Sequence, residues 1–141
     1  MQKINEISEK AIIVVSPHLE RGLAANRAAV LATGLVAGKP EMIGSNLETK
    51  DGIIILGFTQ MPLPILTSKP EQSLLKMADE CKKLGCQVYL FLTRAQGMRS
   101  YEEYRKSVSE SNYSDLDVDA IAIYGTKKSV NAITGSLPML R

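Results

Sequence analysis

The sequence predicts an α/β fold: a three-layer α/β/α sandwich with a mixed, mostly parallel sheet. Compact runs of β-branched residues alternate with segments of helical length, and glycine or proline stands at the junctions. Strands that alternate with helices build a parallel sheet with helices on both faces. The 141 residues suffice for one domain. We expect that domain over residues 11–141, after a short polar N-terminal arm at residues 1–10.

The first half of the domain predicts a buried strand and then a buried helix. Residues 11–15 read AIIVV, a β-branched run typical of a buried strand. A loop with Pro17 and Gly22 follows. Alanine and leucine dominate residues 23–37, which predicts a helix that is apolar on most sides. Gly38 and Pro40 are expected to end it.

A hairpin and an edge strand come next. Asp51-Gly52 is typical of a tight turn, and it would join residues 42–47 to a strand at 53–56. This hairpin is expected to supply the antiparallel part of the sheet. Ile65–Thr67 predicts a short edge strand, because the prolines just before it do not fit a central strand.

The second half predicts three helices, two strands and a packed tail. The helices are placed at residues 69–84, 101–109 and 127–133, and the strands at 87–92 and 118–124. Ser68 and Ser100 are expected to cap the first two helices, because a serine hydroxyl accepts a hydrogen bond from a backbone N–H of the first turn. Gly125 is expected to end the last strand. The apolar tail at residues 137–141 is expected to pack onto the domain.

Composition excludes several classes of protein. Seventeen Lys and Arg residues against 15 Asp and Glu residues give a formal charge of +2, which excludes nucleic-acid binding driven by bulk charge. No apolar run reaches the length of a membrane span, so we expect no membrane partner. Cys81, Cys86 and the single histidine, His18, are too few for a structural zinc site, and no metal or cofactor is expected. Two cysteines without a signal peptide predict reduced thiols and a cytoplasmic protein.

Three segments together resemble a known family, the one catalogued as "domain of unknown function 2000". The first is the strand AIIVV followed by Pro17 and by RGLAAN at residues 21–26, and the second is YEEY at residues 101–104. The third and most specific is the C-terminal YGTKKSVN at residues 124–131, continued by ITGSLPMLR at 133–141. The resemblance extends over nearly the whole chain after residue 10.

That family is similar in fold to the type II peptidyl-tRNA hydrolases, so the resemblance implies a peptidyl-tRNA hydrolase II-like fold. It does not carry the hydrolases' reaction with it. Leu23 stands where the hydrolases have a catalytic lysine, and Asn26 replaces the glutamine that closes their Ala-Ala-Gln pattern. Residues 114–119 read SDLDVD, whereas the hydrolases have Asp-Ala-Gly-x-Thr-Gln. Whether the protein is an enzyme at all stays open at this point.

Two loops are the predicted binding site. Ligands of open α/β sheets bind outside the carboxyl ends of parallel strands. If the first and last strands are parallel, residues 16–22 and 125–129 meet at one edge, and each loop leads into a helix N-terminus that favours anions. The candidate ligand-binding residues are His18, Arg21, Asn26, Arg27, Lys127 and Lys128. No catalytic residue is assigned.

Each candidate also has an ordinary structural interpretation. His18 suits an exposed turn, and Lys127 and Lys128 suit a solvated surface. Arg27 stands among alanines and has the alternative of pairing with a carboxylate. The alternation Asp115, Asp117, Asp119 suits an exposed acidic lead-in to a strand, since it lacks the glycine and closing glutamate of a calcium loop.

Three functions compete. The first is a module that binds a small anionic ligand or an RNA end without ester hydrolysis. The second is a hydrolase acting on peptidyl-tRNA or a related ester with a rearranged catalytic set, in which Lys127, His18 or Asp119 supplies the acid–base chemistry. The third is a homodimeric structural or interaction protein, whose interface would use the apolar first helix and the tail. The lost lysine position favours the first.

Overall fold

Six strands and four α-helices make up residues 8–141, the part of the chain that the computed structural model describes. The strands are β1 (Glu9–Val15), β2 (Leu47–Glu48), β3 (Ile54–Ile55), β4 (Ile65–Thr67), β5 (Gln87–Leu92) and β6 (Val118–Thr126). The helices are α1 (Arg21–Gly38), α2 (Leu74–Lys83), α3 (Tyr101–Ser109) and α4 (Lys127–Thr134). Residues 1–7, most of the predicted arm, lie outside the described residues.

The main sheet has four strands in the order β4-β1-β6-β5. The predicted mixed sheet is confirmed, but "mostly parallel" is wrong, since β1–β4 is parallel and the two pairs that include β6 are antiparallel. A parallel neighbour of β5 would need a helix that crosses back over the sheet. α3, the helix between β5 and β6, buries none of its residues and does not make that crossing. The chain leaves β5 at Leu92 and re-enters the sheet beside it at Val118, so β6 runs against its neighbours.

The hairpin is present but separate. β2 and β3 pair antiparallel in a sheet of their own, so the hairpin does not supply the antiparallel part of the main sheet. The predicted turn is confirmed: Gly52 has a φ of 91°, a left-handed conformation that glycine adopts without strain.

Helices pack on both faces of the main sheet, and β1 divides its side chains between them. Ala11, Ile13 and Val15 join an apolar cluster with buried residues of α1. Ile12 and Val14 join a second cluster with buried residues of α2 and α4. Successive strand residues point to opposite faces, so a continuous apolar run fits a strand that is covered on both sides. Within residues 8–141, no helix has the length and apolar character needed to cross a membrane.

The second helix begins later than the sequence predicts. Ser73, not Ser68, caps α2, and its Oγ accepts a hydrogen bond of 3.1 Å from the Lys76 N–H. Ser68 is buried and continues the edge of β4, where its N–H donates to the Val15 carbonyl at 3.1 Å. A turn occupies the residues between the two serines: the Gln72 N–H donates to the Lys69 carbonyl at 3.0 Å, and the Lys69 N–H donates to Gln72 Oε1 at 2.6 Å. The Ser100 cap of α3 is as predicted, with the Glu103 N–H donating to its Oγ at 3.1 Å.

The last strand continues through Gly125, which the sequence predicts as its end. Gly125 pairs with Lys10 of β1, which itself begins two residues earlier than predicted, at Glu9. A Cβ on Gly125 would lie 2.7 Å from the Sγ of Cys86, the residue before β5, so the glycine makes room for that side chain. The tail packs as predicted: Leu137 is buried, and the Leu140 N–H donates to the Ile65 carbonyl at 2.9 Å.

Candidate functional site

Three strands end at one edge of the sheet. β4, β1 and β5 run in the same direction, and β6 begins where they end. Backbone hydrogen bonds hold the loops of this carboxyl edge: the Ser16 N–H donates to the Asp119 carbonyl at 2.9 Å, and the Thr93 N–H to the Asp117 carbonyl at 2.8 Å. Polar side chains of several distant segments therefore meet here.

Arg27 is one of the polar side chains at this edge, and its guanidinium is held by contacts within the protein. Its Nη2 lies 2.9 Å from Asp119 Oδ2, and its side chain is only 1% exposed. The same Nη2 donates to Gln96 Oε1 at 2.8 Å, and the guanidinium lies 4.4 Å from the centre of the Phe91 ring. Thr93 Oγ1 also donates to Asp119, at 2.9 Å. Arg27 therefore pairs with a carboxylate, the structural alternative that the sequence left open.

Asp117, just before β6, and Asp119, the second residue of β6, each pair with an arginine. Asp119 is buried, so the expectation of an exposed acidic face is wrong at that position. Asp117 accepts from the Arg94 Nε at 2.7 Å and from the Arg94 backbone N–H at 2.9 Å. Arg94 also donates to Ser111 Oγ at 2.6 Å. Asp119 thus binds Arg27 of α1, and Asp117 binds Arg94 of the segment after β5. The spacing of the acidic residues alone did not predict these partners.

A cavity of about 470 Å³ opens at the same edge of the sheet, next to Ser16 and the end of β4. Its lining comes from the β1–α1 loop, the end of β4 and the tail: Ser16, Pro17, Leu19, Arg21, Thr67, Pro138, Met139, Leu140 and Arg141. Arg21 is the first residue of α1, whose N-cap residue, Glu20, makes no side-chain capping hydrogen bond. The first-turn N–H groups of an α-helix have no partner within the helix, so this end of α1 is electropositive. The cavity thus combines two arginines with a helix N-terminus.

His18 lies in the adjoining cavity. This smaller space, of about 170 Å³, shares Ser16 and Pro17 with the first and is also lined by Ser68 and Ser73. The His18 side chain is exposed, and its backbone N–H donates to Ser16 Oγ at 3.2 Å. The ordinary interpretation, an exposed turn histidine, describes this geometry.

Lys127 and Lys128 lie at the opposite edge of the sheet. Because β1 and β6 are antiparallel, Thr126 pairs with Glu9 at the start of β1, and the Lys127 N–H donates to the Ser8 carbonyl at 2.8 Å. The length of β1, seven residues, separates the two predicted loops by about 20 Å. The predicted two-loop cleft is therefore wrong, since it depended on parallel strands.

Asn26 is exposed on α1, and its Oδ1 has a weak contact of 3.5 Å with the Arg27 Nη1. The sequence interpretation missed Thr67 and Arg141. The apolar tail was expected to pack onto the domain. That expectation could have indicated that Arg141, its last residue, lies near the β1–α1 loop.

Neither free thiol lines this cavity: Cys81 and Cys86 are both buried in the core. Burial raises the pKa of Cys81 to about 12, with Cys86 and Glu80 adding to the effect, and burial also raises the pKa of Cys86. A nucleophilic cysteine needs a lowered pKa, so this environment is that of structural thiols. The pKa of Tyr124 is raised as well: burial and a hydrogen bond of 2.5 Å from its hydroxyl to Glu9 Oε1 raise the pKa to about 12.

A family model described as a protein of unknown function, DUF2000, matches residues 9–141. The chain belongs to the DUF2000 family. A solved structure of a protein of unknown function from Agrobacterium tumefaciens matches this DUF2000 protein with a TM-score of 0.85 and 18% sequence identity. The match covers 96% of this chain and 100% of the other, and at that identity it shows the fold alone. A search of curated proteins finds no match.

Proposed function

We propose that this DUF2000 protein is a binding module that holds a small anionic ligand at the carboxyl edge of its sheet and does not hydrolyse esters. One observation carries the proposal: the cavity beside the start of α1 contains both Arg21 and Arg141. Arg21 takes part in none of the ion pairs formed within residues 8–141. Its guanidinium is therefore available to a ligand.

The chemistry of the lining favours a carboxylate or a phosphate. Arginine presents paired N–H donors that match two oxygens of either group, and the N–H groups at a helix N-terminus add further donors. The hydroxyls of Ser16 and Thr67 lie in the same lining and supply neutral hydrogen bonds. A volume of about 470 Å³ falls within the usual range of small-molecule sites.

The finer fold assignment belongs to the same proposal. We place the chain among three-layer sandwiches similar to the type II peptidyl-tRNA hydrolases, supported by the order β4-β1-β6-β5 and by helices on both faces. Leu23 at the position of the hydrolases' lysine supports binding rather than hydrolysis. Two free thiols support a cytoplasmic location.

A thermal-shift screen tests the proposal. The purified protein is heated with inorganic phosphate, with phosphorylated and carboxylated metabolites, and with a short RNA that has a free end. A ligand that binds only the folded state raises the melting temperature. We expect Arg21→Ala to abolish the shift, and the matched double variant Lys127→Ala/Lys128→Ala, with its charges removed from the opposite edge, to retain it.

The outcomes separate the competing functions. A shift that survives Arg21→Ala, or no shift with any anion, would overturn the proposed site. Binding confined to the RNA would assign the cavity to an RNA end. A parallel assay of peptidyl-tRNA hydrolysis, with a type II hydrolase as positive control, tests the second candidate function. Turnover above background would show that the protein is a hydrolase and would overturn the proposed binding module.

A further inference from the structure

The hairpin formed by β2, β3 and their flanking residues 43–58 carries an unusual amount of exposed apolar surface. Phe58 is 78% exposed and Leu56 is 76% exposed. Ile43, Leu47, Ile53, Ile54 and Ile55 are also exposed. We call residues 43–58 the apolar hairpin. Single exposed apolar side chains are ordinary, but a contiguous group of this size on one projection marks an interaction surface.

Both faces of the apolar hairpin are open. Ile54 and Ile55 are neighbours in β3, so their side chains point to opposite faces, and both are at least half exposed. The main sheet therefore covers neither face of β3. A two-stranded hairpin with no partner for either face is only marginally stable in water.

The hairpin is nonetheless a well-formed element. The Thr49 N–H donates to the Ile53 carbonyl at 2.9 Å, and Thr49 Oγ1 donates to Asp51 at 2.6 Å. At its base the Gly57 N–H donates to Asn46 Oδ1 at 2.9 Å. A Cβ on Gly57 would lie 2.5 Å from the Gly44 carbonyl oxygen, so the two arms approach as closely as glycine permits. A pre-organised projection loses little conformational entropy when a partner covers it.

We infer that the apolar hairpin is the interface of a homodimer, covered by a second copy of this chain. The exposed area of its seven large apolar residues, counted over both faces, is about 800 Å² per chain, so a partner chain that packs around both faces would cover the area that each chain contributes to a standard-size interface. A monomer rarely exposes a patch larger than about 600 Å².

Self-association follows from the chemistry of the surface. The seven apolar residues carry no charge, so an identical copy brings no like charges together across a two-fold axis. The charged residues of the hairpin, Glu48, Lys50 and Asp51, stand in and next to the turn and include both signs. Interfaces of permanent homodimers are more apolar than transient ones, which matches this composition. Leu137, Leu140 and the buried residues of α1 pack within the chain's own core, so they are not available to a partner.

Light scattering coupled to size-exclusion chromatography tests the inference on the full chain. We expect a wild-type mass of twice 15.4 kDa. The double variant Leu56→Glu/Phe58→Glu should elute as a folded monomer, because four carboxylates would meet in the interface. Tyr101→Glu is the matched control: Tyr101 is 79% exposed on α3, outside the hairpin, and its variant should remain a dimer.

A cross-linking measurement keeps the test decisive if the glutamate variant misfolds. Both native cysteines are buried, so a cysteine introduced at Phe58 is the reactive thiol. Phe58→Cys should give a disulfide-linked dimer on a non-reducing gel after mild oxidation, and Tyr101→Cys should stay a single chain. A monomeric wild type, or a dimer that neither hairpin substitution affects, would overturn the inference; in the first case residues 1–7 or another protein would be the cover.

Discussion

Arg27 and Asp119, 92 residues apart in the sequence, form a two-pronged ion pair that ties α1 to the start of β6. The Arg27 Nη2 and Nε lie 2.9 Å and 3.2 Å from the two carboxylate oxygens. The charges are nearly out of contact with water, yet Gln96 and Thr93 satisfy further polar atoms. This pair holds the first turns of α1 against the carboxyl edge and so places Arg21 beside the cavity.

Removing one member of the pair should strongly destabilise the protein. Arg27→Met leaves a buried carboxylate without its partner, and Asp119→Leu leaves a buried guanidinium, so each should lower the free energy of unfolding by about 3–5 kcal/mol. The double variant should recover much of that loss, since no unpaired charge remains. Urea unfolding monitored by circular dichroism measures the three values.

The exposed pair of Arg105 and Glu102 on α3 is the control for the buried one. Arg105→Met should change the free energy of unfolding by less than about 1 kcal/mol, because solvent screens exposed ion pairs. Equal effects of Arg27→Met and Arg105→Met would show that the buried pair contributes no more than a surface pair.

Arg21 should act through the shape of its guanidinium as well as its charge. Arg21→Lys keeps the charge but loses the paired donors, so the affinity for inorganic phosphate should fall by about tenfold, the equivalent of roughly one charged hydrogen bond. Isothermal titration calorimetry gives the constants. Asn26→Leu should bind as the wild type does, because Asn26 is exposed and lines neither cavity. If Asn26→Leu lost affinity for phosphate and Arg21→Lys kept it, the binding site would lie around Asn26, further along α1, and not at Arg21.

Cys81 should be unreactive in the folded protein and should make the protein less stable at high pH. Its pKa rises from 9.0 to about 12 on folding. The folded state therefore holds the proton more tightly, so this contribution to stability is complete below pH 9 and is lost as the pH rises towards 12. A thiol reagent at pH 8 should label Cys81 only in urea.

An exposed thiol calibrates that measurement. Leu84→Cys, in a position 46% exposed just after α2, should label at once without urea. A melting temperature that does not fall from pH 8 to pH 11 in the wild type, or fast labelling of native Cys81, would contradict a buried neutral thiol.

The tail should stabilise the domain by extending its contacts along β4. The Thr67 N–H donates to the Pro138 carbonyl at 2.9 Å, and Leu137 is buried against α2 and α4. Deleting residues 137–141 exposes that apolar contact and should lower the melting temperature by several degrees. Deleting Arg141 alone removes no buried apolar group and should leave the temperature unchanged. Equal melting temperatures for all three proteins would mean that the tail adds no stability.

Local chemistry made much of the fold predictable. Ser100 caps α3 as expected because the cap needs only a hydroxyl and an N–H three residues away. Gly52 forms the hairpin turn for an equally local reason, its left-handed backbone. Ser68 shows where this reasoning fails: its hydroxyl has the right spacing to a helix, but its N–H is drawn to the Val15 carbonyl of a strand 53 residues earlier.

The candidate site was predictable at one loop only. Residues 16–22 do leave β1 at the carboxyl edge, and Arg21 does line a cavity there. Lys127 and Lys128 were included because β6 was expected to run parallel to β1. No local pattern in residues 118–124 specifies direction, since a strand has the same alternation of side chains read either way.

The sequence by itself determined most of the strands and helices, because apolar periodicity, caps and turns act within a few residues, but it did not place the first strand of the hairpin or the start of α2. It also determined that the central strands are covered on both faces, since their apolar runs do not alternate with polar residues. Only the tertiary structure decided the direction of β6, the partner of Arg27 and the meeting of Arg21 with Arg141. Each of these joins residues separated by many tens of positions, and such contacts depend on the free energy of the packed whole rather than on any segment of it.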